Sequence, residues 1–152
     1  FTFMKKFNIL FLVVSSLFLT SCDEDSETNL IPKNYLAGKW VATEVGTLNA
    51  VGALVYTDYV NNAECDNDNI VLNENFTYTA NDFEFEDAEC VNYNISGSYT
   101  LSGSNLVLKY IDEFDEEVVE TRRITNLTYT EMEINYTDSE TNQVVFLKLT
   151  KN

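Results

Sequence analysis

The sequence predicts an all-β protein, an antiparallel up-and-down β-barrel of about eight strands in one domain. Segments rich in β-branched and aromatic residues recur at intervals of about ten residues, and short polar turns separate them. No segment shows a sustained helical period. Because short hairpins join consecutive strands, an up-and-down order is favoured over a Greek key.

The predicted strands are bounded by polar or glycine-containing turns. Phe76, Tyr78 and Ala80 alternate onto one face of a strand. Gly97 interrupts a long strand and is predicted to form a bulge or bend. The acidic residues 81–89 are predicted to form a loop or an edge segment. The segments that predict strands are residues 39–45, 54–60, 70–72, 76–80, 91–101, 106–111, 118–124, 131–136 and 144–150.

The first residues predict a secretory leader. Met4 is predicted to be the true start, and Lys5 and Lys6 form a positively charged n-region. Residues 7–20 are mostly apolar, too short for a comfortable membrane span of about 20 residues, and typical of a signal-peptide h-region. Residues 1–21 are therefore predicted to be a signal peptide.

The leader ends in Leu19-Thr20-Ser21-Cys22, which resembles the lipobox of bacterial lipoproteins. That resemblance implies that Cys22 is acylated and that the bilayer is a partner of the protein. Residues 22–33 then form a lipidated cysteine with an acidic linker. The implied location is the bacterial cell envelope, at the outer membrane, with the periplasmic and the surface-exposed face both open. The alternative is an ordinary signal peptide with a chance cysteine.

Two further cysteines, Cys65 and Cys90, remain once Cys22 carries lipid. An envelope compartment is oxidising and two is an even number, so a disulfide between them is predicted. The bridge would close a loop of about 26 residues and stabilise the fold by roughly 3–3.5 kcal/mol. Two free thiols or a metal-binding pair are the alternatives.

Composition excludes several classes of function. The 152 residues include 25 acidic and 9 basic residues and no histidine. Without Lys5 and Lys6, 7 basic residues face 25 acidic ones, a net charge of -18. Such a charge argues against nucleic acids and anionic membrane surfaces as partners. The absence of histidine excludes Ser-His-Asp and Cys-His nucleophile systems and histidine-based metal sites.

The domain at residues 34–152 resembles the lipocalin-like lipoproteins of Bacteroidetes. The resemblance covers roughly residues 35–151 and rests on LAGKW at 36–40, IVLNENFTY at 70–78, and GSYTL at 97–101 before NLVL at 105–108. It implies a lipocalin-like barrel in which Trp40 packs across the closed end under a late-strand arginine. The last predicted strand offers Lys148 for that place, while Arg122 and Arg123 come earlier.

Such a barrel has room either for packed side chains or for one small ligand. The inward positions are predicted to include Leu106 and Leu147. Aromatic residues and tyrosine hydroxyls could line a ligand cavity, and a fully packed core is the alternative. The eight candidate cavity residues are Trp40, Phe76, Tyr78, Tyr99, Leu108, Tyr110, Met132 and Ile134.

Metal binding and catalysis have weak support. Asp66 and Asp68 resemble the start of a calcium loop, but Val71 and Thr77 stand where glycine and glutamate are needed. No metal site or cofactor is therefore predicted. Glu44 is a candidate buried acid if it points inward. No nucleophile system is recognisable, so no enzyme activity is predicted.

The sequence thus favours a membrane-anchored envelope lipoprotein whose barrel binds a small apolar or amphipathic ligand. This function follows only by analogy of fold. The alternative is a structural or protein-interaction lipoprotein with a filled barrel, whose protein partner the sequence does not identify.

Overall fold

A computed structural model describes residues 33–61, 65–139 and 141–152. A four-residue helix, α1 (Lys33–Leu36), precedes the first strand. The nine strands are β1 (Gly38–Leu48), β2 (Leu54–Asp58), β3 (Asn69–Leu72), β4 (Thr77–Glu86), β5 (Glu89–Ser102), β6 (Asn105–Ile111), β7 (Glu117–Leu127), β8 (Glu131–Thr137) and β9 (Val144–Lys151).

Pairing of β1 with β9 closes the sheet into a barrel. Strands β3 to β9 pair antiparallel in chain order, and the start of β1 pairs with β3. Eight strands therefore form the closed barrel, which confirms the predicted fold. The short β2 pairs only with the second half of β1, from Glu44 to Leu48, where β1 extends beyond β3. We call the end where β1 begins the closed end and the opposite end the open end.

The acidic stretch 81–89 is strand rather than loop. β4 continues to Glu86 and β5 begins at Glu89, so the prediction of a loop is wrong. The intervening Asp87 and Ala88 both have positive φ, 49° and 70°, which suits a two-residue hairpin turn that matches the twist of its strands. The acidic side chains stay exposed on this hairpin, so their charge does not oppose strand formation.

Trp40 fills the closed end. Its side chain is fully buried, and its indole Nε1 donates a hydrogen bond to the Leu36 carbonyl at 2.7 Å. The ammonium of Lys151 on β9 lies 5.0 Å from the centroid of the Trp40 ring system, within range of a cation–π contact. Lys151 therefore takes the place considered for Lys148, whose ammonium binds Glu44 instead.

A disulfide joins Cys65, in the segment after β2, to Cys90 at the start of β5, with Cα atoms 5.5 Å apart. The predicted bond between these cysteines is confirmed. It ties the chain that leads into β3 to the β4–β5 hairpin, at the open end of the barrel.

Gly97 lies in regular strand. It faces Tyr78 on one side and Tyr110 on the other without a break in register, so the predicted bulge is wrong there. A glycine is needed at this position because the backbone of the neighbouring strand lies very close to it. A Cβ at this position would overlap the carbonyl oxygen of Lys109 and lie 3.0 Å from Cε1 of Tyr78. The register shifts occur in β1, between Ala42 and Glu44, and in β7.

We expect Gly97→Ala to lower the free energy of unfolding by about 1–3 kcal/mol, because the added methyl must displace backbone in a neighbouring strand. The matched control is Ser98→Ala on the same strand, where the side chain is exposed and the change should stay within about 0.5 kcal/mol. Urea unfolding of both variants measures the difference. Equal free energies of unfolding for Gly97→Ala and Ser98→Ala would contradict this prediction, because the strands would then move apart without cost.

Candidate functional site

A cavity of about 160 Å³ occupies the open half of the barrel. Its walls come from both sides of the barrel, and the side chains of Tyr93 and Ile95 on β5 remain 47% and 40% exposed, so the cavity communicates with solvent. The lining residues are Ala42, Asp68, Asn69, Ile70, Ala80, Asn81, Asp82, Tyr93, Ile95, Arg122, Tyr136, Leu147 and Leu149.

Small side chains leave this space open. Ala80 on β4 is directly opposite Ile70 on β3, and Ala42 on β1 is opposite Leu149 on β9. Larger side chains fill the next layer toward the closed end, where Trp40 and Leu72 are buried. The cavity therefore results from the small size of these inward-facing residues, which keep the inward–outward alternation of their strands.

None of the eight candidate cavity residues lines this cavity. Six of them form the packed core below it, namely Trp40, Tyr78, Tyr99, Leu108, Met132 and Ile134. Tyr110 is half-buried on β6, and its hydroxyl binds Glu120. The Tyr99 hydroxyl donates to the Asn73 carbonyl at 2.7 Å, which satisfies this polar group in the core.

Phe76 differs from its predicted inward position. It lies in the turn before β4 with φ of 65°, and 46% of its surface is exposed. The turn rotates Phe76 out of the alternation that holds for Tyr78 and Ala80. Its ring still contacts Tyr99, with ring centroids 5.7 Å apart.

Arg122 lines the cavity, although the sequence did not predict it there. It stands on β7 two positions before the buried Ile124, on the same face, and lines the cavity. Its Nη2 lies 3.4 Å from Oε2 of Glu120, and its guanidinium carbon lies 5.0 Å from the Tyr136 ring centroid. Among the described residues its buried Nε has no hydrogen-bond partner. Arg122 and the buried Ile124 are two residues apart on one strand and so share a face, and this spacing is the signal that could have placed Arg122 inside.

Tyrosines surround this guanidinium. The hydroxyl of Tyr110 donates to Oε1 of Glu120 at 3.3 Å. Burial, with the charge of Glu120 adding to it, raises the pKa of Tyr78 to about 12. Burial also raises the pKa of Tyr136, although Arg122 acts to lower it. These phenols are therefore neutral donors near pH 7.

Asp68 lies at the mouth of the cavity, held by a dense set of donors. Oδ2 accepts from the Tyr59 hydroxyl, and Oδ1 accepts from the Phe83 amide at 2.9 Å and the Asn61 amide at 3.2 Å. Burial and Asp68 together raise the pKa of Tyr59. Asp68 is thus an ordered carboxylate, while the other weak metal candidate, Asp66, is exposed.

Asp82 on β4 completes the polar side of the cavity, two residues beyond Ala80. Partial burial raises the pKa of its carboxyl, and so do the negative charge of Asp68 and a hydrogen bond to it. The described ranges contain no group of three or more His, Cys, Asp or Glu side chains that could hold a metal ion.

Glu44 does not point into the barrel, so it is not a buried acid facing the cavity. Its Oε2 binds the ammonium of Lys148 at 3.0 Å, and Lys148 also lies 4.2 Å from the Tyr56 ring centroid. The register shift between Ala42 and Glu44 changes which face the following residues use. Glu44 therefore shares the outer face with Lys148.

A sequence model of the family described as lipocalin-like domain matches residues 36–134. The chain belongs to the lipocalin-like domain family. A lipocalin-like protein from Bacteroides uniformis is 14% identical over 78% of this chain and 99% of its own, with a TM-score of 0.49. An uncharacterized protein from Bacteroides eggerthii is 13% identical over 76% and 98%, with a TM-score of 0.47.

A bovine odorant binding protein, solved in complex with a selenium-containing odorant, is 16% identical over 80% of this lipocalin-like chain and 73% of its own, with a TM-score of 0.46. No curated protein sequence matches the chain. Within the part of the chain that the structure describes, no helix has the length and apolar character needed to span a membrane.

The raised pKa of Asp82 predicts how this carboxyl affects stability. The folded state holds the proton more tightly than the unfolded chain, whose value is near 3.8. The contribution of Asp82 to the free energy of unfolding therefore falls as the pH rises from 3.8 through the pKa of the folded state, and this contribution is absent above that pKa.

We accordingly expect Asp82→Asn to raise the Tm at pH 7 by roughly 2 °C, since the amide donates to Asp68 without adding a charge. The gain should shrink as the pH falls toward 3, because the raised pKa of Asp82 means that its carboxyl is then protonated and carries no charge to remove. Glu116→Gln, the same charge change at an exposed turn, is the control. A lower Tm for Asp82→Asn at pH 7 would contradict the assigned repulsion.

Proposed function

We propose that this lipocalin-like barrel binds a small amphipathic molecule in its open-end cavity, and that acylation of Cys22 holds the protein on a bacterial envelope membrane. The observation that carries the binding role is a cavity with an apolar wall, a polar wall and an unpartnered Arg122 Nε. The lipocalin-like family generally consists of binding proteins, and we assign no catalytic role.

The two walls favour an amphipathic ligand over a purely apolar one. Ile70, Ala80, Ile95, Leu147 and Leu149 supply apolar surface. The polar groups of the lining are two carboxylates, two side-chain amides, two phenols and a guanidinium. Ligand sites of this kind combine apolar walls with a few polar groups that fix orientation.

The volume bounds the size of the ligand. An apolar cavity of about 150 Å³ in another protein holds benzene, close to the 160 Å³ found here. Pockets for drug-sized molecules are larger, about 300–1,000 Å³. A single ring or a short chain therefore fits, with its polar end toward the mouth.

The buried Nε of Arg122 favours a ligand that carries a hydrogen-bond acceptor. A buried donor without a partner costs roughly 1–3 kcal/mol. A hydroxyl or carbonyl oxygen of the ligand can accept from it. Tyr136 also lines the cavity, so its hydroxyl can contact the same polar end.

A protein-interaction role is the second candidate. Val51 and Phe114 in turns of the open end, and Val144 at the start of β9, are exposed, so a protein partner could cover them. That role does not require the cavity. A ligand bound inside the barrel therefore separates the two candidates.

The anchor is proposed from the lipobox resemblance alone, because Cys22 lies outside the described residues. Residue 33 lies just before β1, at the closed end of the barrel. We place the protein at the outer membrane, with the open end free to receive ligand. Two or three acyl chains make a stable anchor, at about 0.8 kcal/mol for each buried methylene.

Filling the cavity should abolish ligand binding. In native mass spectrometry of protein purified from envelope extract, wild type should carry an adduct of a small molecule. Ala80→Leu should lose it, because its side chain occupies the cavity. Thr79→Leu, one residue away and outside the cavity lining, should keep it. An adduct that persists in Ala80→Leu, or a bare wild type, would contradict binding at this site.

Acylation can be tested separately by feeding cells an alkyne-tagged fatty acid. We expect label on the wild-type protein and its complete loss in Cys22→Ser, because the thioether is the attachment point. Cys65→Ser, which removes a cysteine of the disulfide instead, is the control and should retain label. Unlabelled wild type, or labelled Cys22→Ser, would refute the anchor.

A further inference from the structure

We infer that the cavity selects a cationic ligand, a protonated amine attached to a single ring or short apolar chain. This inference rests on the proposed binding role and names the chemical class of its ligand. It follows from the balance of charges around the cavity, from the position of the carboxylates relative to the apolar wall, and from the acidic rim of the open end.

Four ionisable groups decide the charge inside. Arg122 is matched by Glu120, whose Oε2 lies 3.4 Å from Nη2. That pairing leaves Asp68 and Asp82. In the described part of the chain neither carboxylate forms an ion pair with a lysine or arginine. The hydrogen bonds that hold Asp68 come from neutral dipoles, the Tyr59 hydroxyl and two amides.

The cavity therefore has unmatched negative charge even though it contains an arginine. An anionic ligand at Arg122 would have to compete with Glu120 and would approach Asp68 and Asp82. Like charges in a partly desolvated site repel strongly, since the effective dielectric constant is below that of water. A cation at the mouth instead relieves the repulsion between the two aspartates.

Strand geometry sets the length of the ligand. Ala80, on the apolar wall, and Asp82, at the mouth, are neighbours on the same face of β4. Two residues of a strand span about 7 Å. A ring packed against Ala80 and Ile70 thus brings an amine one or two carbons away to the carboxylates. The Arg122 Nε remains available for a hydroxyl or carbonyl oxygen of the ligand.

The rim of the open end has the same sign. Two hairpins that border it, β4–β5 and β6–β7, end in acidic turns. A mouth lined by one sign of charge raises the local concentration of the opposite ion and speeds its entry. The acidic residues are Glu84, Glu86, Asp87 and Glu89 on the first hairpin and Asp112, Glu113, Asp115, Glu116 and Glu117 on the second.

Three probes with one ring and different charge test the inference: benzylamine, benzyl alcohol and benzoate, titrated calorimetrically into the purified protein at pH 7.4. Benzylamine should bind with a Kd on the order of tenfold lower than benzyl alcohol, and benzoate should bind more weakly than the alcohol. High salt should reduce the differences between the Kd values of the three probes, because it screens the rim charges.

Two variants test whether the carboxylates at the mouth cause the preference for benzylamine. Asp82→Asn should bring the Kd of benzylamine close to that of benzyl alcohol and leave the alcohol unchanged. Glu116→Gln, with the same loss of one charge away from the cavity lining, should change neither Kd by more than about twofold.

The outcomes separate the two proposals. Benzoate binding best, or equal affinity for all three probes, would overturn charge selection and leave the binding role intact. Equal losses in Asp82→Asn and Glu116→Gln would also overturn it, because net charge alone would then explain the preference. Failure of all three probes, the uncharged alcohol included, would overturn the binding role for molecules of this size.

Discussion

The whole structure depends on β1 pairing along both of its edges. One edge joins β9 and closes the barrel, while the other joins first β3 and then β2. An eight-stranded barrel has no free sheet edge, and its interior is only wide enough for side chains or one small ligand. The closed end is sealed by Trp40, whose ring system lies between the core and the Lys151 ammonium.

Closure fixes the width of the barrel, so the size of each inward residue decides what the interior contains. Trp40, Leu72 and Met132 fill the closed half. Ala42 and Ala80 leave a cavity in the open half, where water can reach the polar wall. Carboxylates are tolerated at that depth because desolvation there is partial, whereas the same groups in the closed half would be uncompensated.

Most strand positions, barrel closure and the disulfide were predictable because they follow from alternation, hairpin length and cysteine number, whereas the acidic ends of β4 and β5 were not predicted. The cavity was not, since alternation tells which face a residue uses and not how deep it lies. Two local features also broke the alternation. The register shift after Ala42 turned Glu44 outward, and a positive φ turned Phe76 out of the core.

The place of Arg122 and Asp68 at the cavity escaped prediction for a further reason: charged residues are expected outside, and only a folded barrel shows which ones lie inside. Arg122 is in phase with Ile124, and Asp68 lies just before β3, where its hydrogen bonds to Tyr59 and Phe83 join three parts of the chain. Asp68 organises the mouth through these contacts, and Asp82 lies beside it. Because Glu120 already neutralises Arg122, the charge left at the mouth belongs to the aspartates. The guanidinium then acts in the cavity as a hydrogen-bond donor, and the sign of the site is set by the residues that order its entrance.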